Sequence, residues 1–125
     1  MILPNKPRGT QDIFPPRSLI YHKIQQIAAE ILHKNGYQPI IFPTFEYKEL
    51  FTSSLGSTTD VVHKEMYEFR DRKERELALR PEGTASVVRL VCQNKLLKKG
   101  YPLKLYYWTN MFRYERPQKG RYREF

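Results

Sequence analysis

The 125 residues predict an α+β domain, an antiparallel sheet flanked by helices. Ile20, Ile24, Ile27, Ile31 and Leu32 recur at spacings of three and four, the period of one apolar helix face. Two runs with strand chemistry, Met66 to Phe69 and Leu77 to Arg80, are separated only by a charged stretch, so they pair as a hairpin. The tail repeats the pattern: an aromatic and branched run at 103–115, a turn at RPQKG and a return at RYREF. Hairpins need no crossover helix, so the sheet they build is antiparallel.

The elements follow in order. Prolines 4, 7, 15 and 16 with Gly9 make the opening extended and irregular, and Pro15 and Pro16 can start a helix. That helix runs from Ser18 to about Lys34 and stops at Asn35-Gly36. YQPIIFP, residues 37–43, reads as a short buried strand closed by Pro43. FEYKELFTSSLGSTTDVV, residues 45–62, reads as a short helix and a polar loop. After the hairpin, Pro81 and Thr84 open a second helix to about Lys98, with Val87, Val88, Val91 and Leu97 inward and Gly100 as its end. No internal repeat or low-complexity tract interrupts the chain.

Composition narrows the classes of function. With 40% hydrophobic and 28% charged residues the chain is globular rather than disordered. Lys and Arg number 22 against 13 acids, a formal charge of +9, which favours a polyanion such as nucleic acid or a nucleotide phosphate and equally describes a merely soluble basic surface. The lone Cys92 permits no internal disulfide, fits a reducing compartment and reads as a small buried hydrophobe in VVRLVCQNKLL. His22, His33 and His63 are scattered, so spacing argues no metal site. No apolar run approaches the roughly eighteen residues of a membrane span, and the first residues lack the apolar core of a signal peptide.

The chemistry concentrates in MFRYERPQKGRYREF, Met111 to Phe125, with four arginines, one lysine, two acids and four aromatic rings. Strand alternation puts Arg113 and Glu115 on one face and Phe112 and Tyr114 on the other. Arg113 suits a two-pronged contact with a phosphate or carboxylate, and Glu115 can accept from an amine. Arg116, Lys119 and Arg121 surround Gly120 as a mobile clamp for a polyphosphate would require. Each part also has a plain reading. An Arg and a Glu two apart on a strand are more often a solvated ion pair, and RPEGT can be a strand end followed by a helix cap in which Glu82 or Thr84 satisfies free backbone N–H groups.

In order, the motifs carry a resemblance. GYQPIIFPTFE at 36–46, LRPEGTA at 79–85 and MFRYERPQKGRYREF, with PRGTQDIFP at 7–15 and TDVVHKEMYEF at 59–69, resemble the bacterial type of histidyl-tRNA synthetase, a class II aminoacyl-tRNA synthetase. The resemblance implies that residues 1–125 are the amino-terminal part of a class II catalytic domain, with motif one at about 18–46, the histidine-binding RPEGT at 80–84 and motif two at about 103–125. Motif one, ending at Pro43, implies a homodimer interface. Arg113 matches the motif-two arginine that touches the substrate carboxylate and the ATP α-phosphate. Glu115 matches the residue beside the adenine, Arg121 the one that meets the terminal phosphates, and Phe125 the ring that stacks on the adenine. Glu82 and Thr84 match positions that bind the α-amino group of histidine, with Gly83 allowing close backbone approach.

The resemblance implies ATP as substrate with Mg²⁺, no permanently bound cofactor, no complete metal site in these residues, and histidine and tRNA(His) as partners. It implies a cytoplasmic enzyme, or one in a plastid or other organelle that encodes its own synthetase. The family continues beyond these motifs into a histidine-specific loop with a second arginine, motif three and an anticodon-binding domain. The 125 residues alone are therefore expected to be inactive in aminoacylation, and marginal or aggregation-prone through an unpaired sheet edge. Two alternatives remain: a noncatalytic regulatory paralogue from histidine biosynthesis, which tends to alter RPEGT and ERPQKGR, and a basic nucleic-acid-binding module using the hairpin with Tyr106, Tyr107 and Trp108.

Overall fold

The structure, a computed structural model, describes residues 2–53 and 64–125. Residues 54–62 of the expected polar loop, and His63, lie outside the described residues. Internal contacts divide the chain into two units, one of Gln11–Ile41 and Leu96–Thr109, the other of Met1–Thr10, Phe42–Lys95 and Asn110–Phe125.

In the first of these, the isoleucine repeat forms α1, Arg17–Lys34, with Pro16 at its N-cap. His33 and Lys34 in the last turn complement the negative end of the helix dipole. Gly36 ends it: its N–H donates to His33 O at 3.0 Å and the Tyr37 N–H to Leu32 O at 3.0 Å, a paired closure that needs the positive φ of 78° at Gly36. The predicted apolar face forms but is not buried. Ile20, Ile24, Ile27 and Ile31 stay 58, 51, 46 and 56% exposed.

The expected buried strand at 37–43 is a correction. Only β1, Gln38–Pro39, is strand, both residues are exposed, and Ile41 is 93% exposed. It pairs in parallel with β5, Leu105–Tyr106, through Gln38 N–H to Lys104 O at 3.0 Å and Ile40 N–H to Tyr106 O at 2.9 Å. Pro39 has no N–H for any further neighbour, which limits the pair to two strands. The run at 103–115 is likewise not one long strand, and the parallel pair is a small addition to the antiparallel architecture. His33 Nε2 and Tyr106 Oη at 2.8 Å, and Lys104 Nζ donating to Asn35 O at 3.1 Å, tie β5 to the end of α1.

The other unit holds the three-stranded antiparallel sheet, β2 (Phe45–Tyr47), β4 (Glu76–Leu79) and β3 (Glu68–Arg70) in that order. The predicted hairpin is β3–β4, with Glu68 opposite Ala78 and Phe69 opposite Leu77. Asp71 closes its turn, accepting at Oδ1 from Lys73 N–H at 2.8 Å and Arg75 N–H at 3.1 Å while Glu74 takes a positive φ of 58°. The strand β2 sits where only a helix was expected. Three residues were too few to show alternation, and they are strand because Glu46 pairs with Ala78 and Tyr47 with Leu77. The short helix follows as α2, Lys48–Ser53.

Phe51, Met66, Ala78 and Ala85 form the core, with Leu50 against them. Ala85 and Ser86 are the buried residues of α3, Thr84–Gln93, and their small side chains let the helix lie close to the sheet. This corrects the expected inward face: Val88 and Leu97 are exposed, and so is Cys92, which is not a core residue. The helix stops before Lys98 because the Asn94 amide donates to Leu90 O at 2.8 Å and Lys95 takes a φ of 52°.

Candidate active site

The site begins where β4 runs into α3. Arg80 continues the ladder, its N–H donating to Thr44 O at 3.0 Å and its carbonyl accepting from Phe112 N–H at 3.0 Å. Pro81, fully buried, gives up no donor there. Gly83 is the N-cap of α3 and is buried, with a φ of −103° that any residue adopts, so its small size answers to crowding rather than to backbone handedness. Glu82 turns its carboxylate onto the helix start. One oxygen accepts from Thr84 N–H and the other from Ala85 N–H at 3.0 Å. The cap reading of RPEGT is thus realised by Glu82, at the positive end of α3. Two accepted bonds leave the carboxylate with capacity for a further donor.

Arg113 is held beside this helix start. Its N–H donates to Arg123 O at 2.9 Å, and its Nε donates to Pro81 O, one residue from Glu82, at 2.9 Å. Its guanidinium carbon lies 5.5 Å from the ring centroid of Phe125, and Phe125 exchanges backbone hydrogen bonds with Met111 at 2.7 and 3.0 Å. Nε is used for anchoring, and among the described residues neither Nη atom of Arg113 makes a hydrogen bond. Arg113 is therefore tied through one carbonyl to the Pro81–Glu82 stretch, and Phe125 lies against the Arg113 guanidinium.

Glu115 and Arg121 are placed differently. The Glu115 N–H donates to Arg113 O at 2.8 Å, a three-residue turn at Tyr114, so strand alternation ends at Arg113 and does not put the Glu115 side chain beside it. This corrects the expected long strand: the hairpin is held by single bridges, Phe112 with Glu124 and Gln118 with Arg121. Arg121 sits in the exposed turn at the tip, where its N–H donates to Gln118 O at 2.9 Å and Gly120 has a φ of 79°. Among the described residues no hydrogen bond joins its side chain to Pro81. Among the described residues no group of three or more His, Cys, Asp or Glu side chains is placed to hold a metal.

Two arginines to which sequence reasoning gave no role of their own organise the site. Arg80, 5% exposed, donates from Nε to Asn110 O at 2.6 Å and from Nη1 to Phe42 O at 3.3 Å, fixing the segment that leads into Arg113. Burial lowers its pKa below that of a free guanidinium. The signal was a cation closing the apolar strand ELAL. Arg123 donates from Nε to Glu115 O at 3.0 Å and stacks over Tyr114 at 4.1 Å. Nothing in its sequence neighbourhood separates it from the other tail arginines.

Residues 9–125 match the family model described as histidyl-tRNA synthetase. The histidine--tRNA ligase of Mycoplasma mycoides subsp. mycoides is 58% identical over 121 residues, 96% of this chain and 29% of that protein. Among solved structures, apo histidyl-tRNA synthetase of S. aureus superposes with a TM-score of 0.78 at 36% identity, covering 98% of this chain and 27% of that one. A protein from Bacillus halodurans described as an ATP phosphoribosyltransferase regulatory subunit/histidyl-tRNA synthetase superposes at 0.80 with 28% identity, covering 100% and 32%. The chain thus spans under a third of the length of these relatives. With a match over residues 9–125 and an α+β fold shared with a solved member, the chain belongs to the histidyl-tRNA synthetase family.

Proposed function

We propose that this chain is the amino-terminal part of the catalytic domain of a histidine--tRNA ligase, which activates histidine with ATP and transfers it to tRNA(His). The observation that carries the reading is the Arg113 Nε bond to Pro81 O at 2.9 Å, beside the helix start where Glu82 sits. With Nε anchored, the two Nη atoms form a fork for a carboxylate oxygen and an α-phosphate oxygen. Glu82 and Thr84, with Gly83 between them, receive the α-ammonium of histidine. A histidine carboxylate oxygen attacks the α-phosphorus, the bond to the β-phosphate bridging oxygen breaks, and pyrophosphate leaves with histidyl-adenylate formed. Arg113 offsets the charge that gathers on the α-phosphate in that step. A ribose hydroxyl of the tRNA end then attacks the acyl carbon and releases AMP.

Phe125 stacks on the adenine, Glu115 lies on its amine side, and Arg121 reaches the terminal phosphates from the hairpin tip. Magnesium arrives with ATP as part of the substrate. The exposed isoleucine face of α1 suits a homodimer interface. Among the described residues no helix is long and apolar enough to cross a membrane. The proposed location is the cytoplasm, with an organelle that encodes its own synthetase as the alternative.

Histidine-dependent pyrophosphate exchange by the protein carrying this chain tests the reading. Arg113→Lys keeps the charge but loses the fork, so exchange falls about 10²-fold or more. Exchange unaffected by Arg113→Lys overturns the assignment. One second reading has an observation in its favour. The Bacillus halodurans structure superposes as well as the synthetase does, so the fold does not separate ligase from regulatory subunit. Histidine binding without adenylate formation selects the regulatory reading. RPEGT and ERPQKGR, both intact here, favour the ligase.

A further inference from the structure

The geometry points to Arg123 as a positioning residue that braces the Met111–Phe125 hairpin against the amino-terminal turn at Arg8-Gly9, and through that brace sets the ATP side of the site. The assignment of that side rests on the function proposed above; the brace itself does not.

The segment PRGT has no part in the chemistry derived so far. It forms a turn of its own, in which Thr10 donates to Pro7 O from both N–H, at 3.2 Å, and Oγ1, at 2.7 Å. This presents Gly9 O and Arg8 O outward from the turn. Arg123 takes both, the first through its backbone N–H at 2.7 Å and the second through Nη1 at 3.5 Å. The same side chain donates from Nε to Glu115 O at 3.0 Å and sets its guanidinium carbon over the Tyr114 ring, 4.1 Å from the centroid. Tyr114 is edge-on to Tyr67 at 5.6 Å, and its N–H donates to Glu65 O at 2.6 Å. One partly buried residue, Arg123, therefore joins residues 8–9 to both limbs of the hairpin, Gly9 through its backbone N–H and Arg8 and Glu115 through its guanidinium.

Gly9 is shaped for this contact. Its φ is +82°, and a Cβ there meets Arg123 Cγ at 2.7 Å and Cδ at 2.8 Å, so any side chain displaces the Arg123 stem. The brace loads one side of the site selectively. Arg123 O holds Arg113 N–H, and Arg123 Nε holds Glu115 O, so the positions of Glu115 and of the turn beyond it depend on Arg123. Glu82 and Thr84 are held separately, by the start of α3. Arg113 has its own anchor at Pro81 O. Loss of the brace therefore loosens residues 115–122 while the histidine side keeps its shape.

The test uses Arg123→Met, Arg123→Lys and Gly9→Ala in the protein carrying this chain. Hydrogen exchange across residues 113–123, melting temperature, and separate KM values for ATP and histidine in pyrophosphate exchange are measured. Arg123→Met is expected to speed amide exchange at 115–122 about tenfold and to raise KM for ATP about tenfold, with KM for histidine within about twofold. Gly9→Ala, which displaces the Arg123 stem, gives the same pattern, and combining it with Arg123→Met adds little, because both act through the Arg123 side chain. Arg123→Lys keeps the stem and the charge over Tyr114 and restores part of the loss; it also serves if the Met variant fails to fold. Equal rises in both KM values, or unaltered amide exchange at 115–122, overturn the brace. If the unsubstituted protein shows no pyrophosphate exchange, the proposed function fails, and amide exchange alone decides for or against the brace.

Discussion

Arg89 donates through both Nε and Nη2 to one carboxylate oxygen of Glu46, at 3.1 and 2.6 Å, linking α3 to β2 across 43 positions of sequence. The Glu46 side chain is 9% exposed and that of Arg89 22%, so the pair is largely out of water, and Arg89 Nη1 is used by Gln93 Oε1 at 3.0 Å. Removing one partner strands the other. Arg89→Ala is expected to destabilise by about 2–4 kcal/mol, because the Glu46 charge is left uncompensated. The double variant Glu46→Leu with Arg89→Met recovers most of that loss. Urea unfolding of the two singles and the double checks it; equal losses in all three count against the pair.

The end of α1 allows a cleaner test of backbone conformation. Gly36 has a φ of 78°, and the nearest atom to a Cβ there is Lys104 Cδ at 4.0 Å, so there is room for a methyl group. Gly36→Ala should therefore cost only the left-handed strain, about 1 kcal/mol, read as a lowered melting temperature. A larger loss points to a contact at Gly36 beyond the backbone.

The β3–β4 turn predicts a pH dependence. The Asp71 carboxyl is held below its ordinary pKa, first by the Arg75 backbone N–H, then by the Arg75 guanidinium at 2.6 Å and the Lys73 N–H. A lowered native pKa means that the stabilisation is fully present above the ordinary aspartate value and is lost as pH falls through the native one. Acid titration of stability should show this loss, and Asp71→Asn should remove that part of the curve while lowering stability at neutral pH. An Asp71→Asn curve parallel to that of the unsubstituted protein down to low pH would rule it out.

Glu82 separates a cap from a binding group. As a cap, its replacement by Gln costs about 1 kcal/mol, since one acceptor remains for the Thr84 and Ala85 N–H groups. As the partner of an ammonium, the same change should also weaken histidine binding about tenfold to a hundredfold. Calorimetric titration with histidine against a melting curve distinguishes the two roles, and an unchanged histidine affinity leaves Glu82 as a cap alone.

The legible parts of this fold were the local ones. Ile20 to Leu32 wrote a helix, Asn35-Gly36 its end, and the charged stretch between Phe69 and Leu77 a hairpin, because each depends on residues a few positions apart. Cys92, Val88 and Leu97 were misplaced because the buried face of α3 follows the small residues Ala85 and Ser86 that approach the sheet, and a periodicity of apolar residues does not report small size. The candidate site divides the same way. Arg113 and the RPEGT stretch were readable as types and order, whereas the Glu115 turn breaks the alternation from which its direction was inferred.

By itself, the sequence determined the secondary structure near the helices and hairpins, the charge, and the family, since these reside in local spacing and in ordered motifs. Tertiary structure alone decided that Arg80 is buried between Phe42 and Asn110, that Glu46 meets Arg89, and that Arg123 reaches back to Gly9. The physical reason is common to all three. A guanidinium carries five donors on a long stem and looks the same in sequence wherever it goes, so its role is set by which distant carbonyls and carboxylates the fold brings within hydrogen-bonding reach.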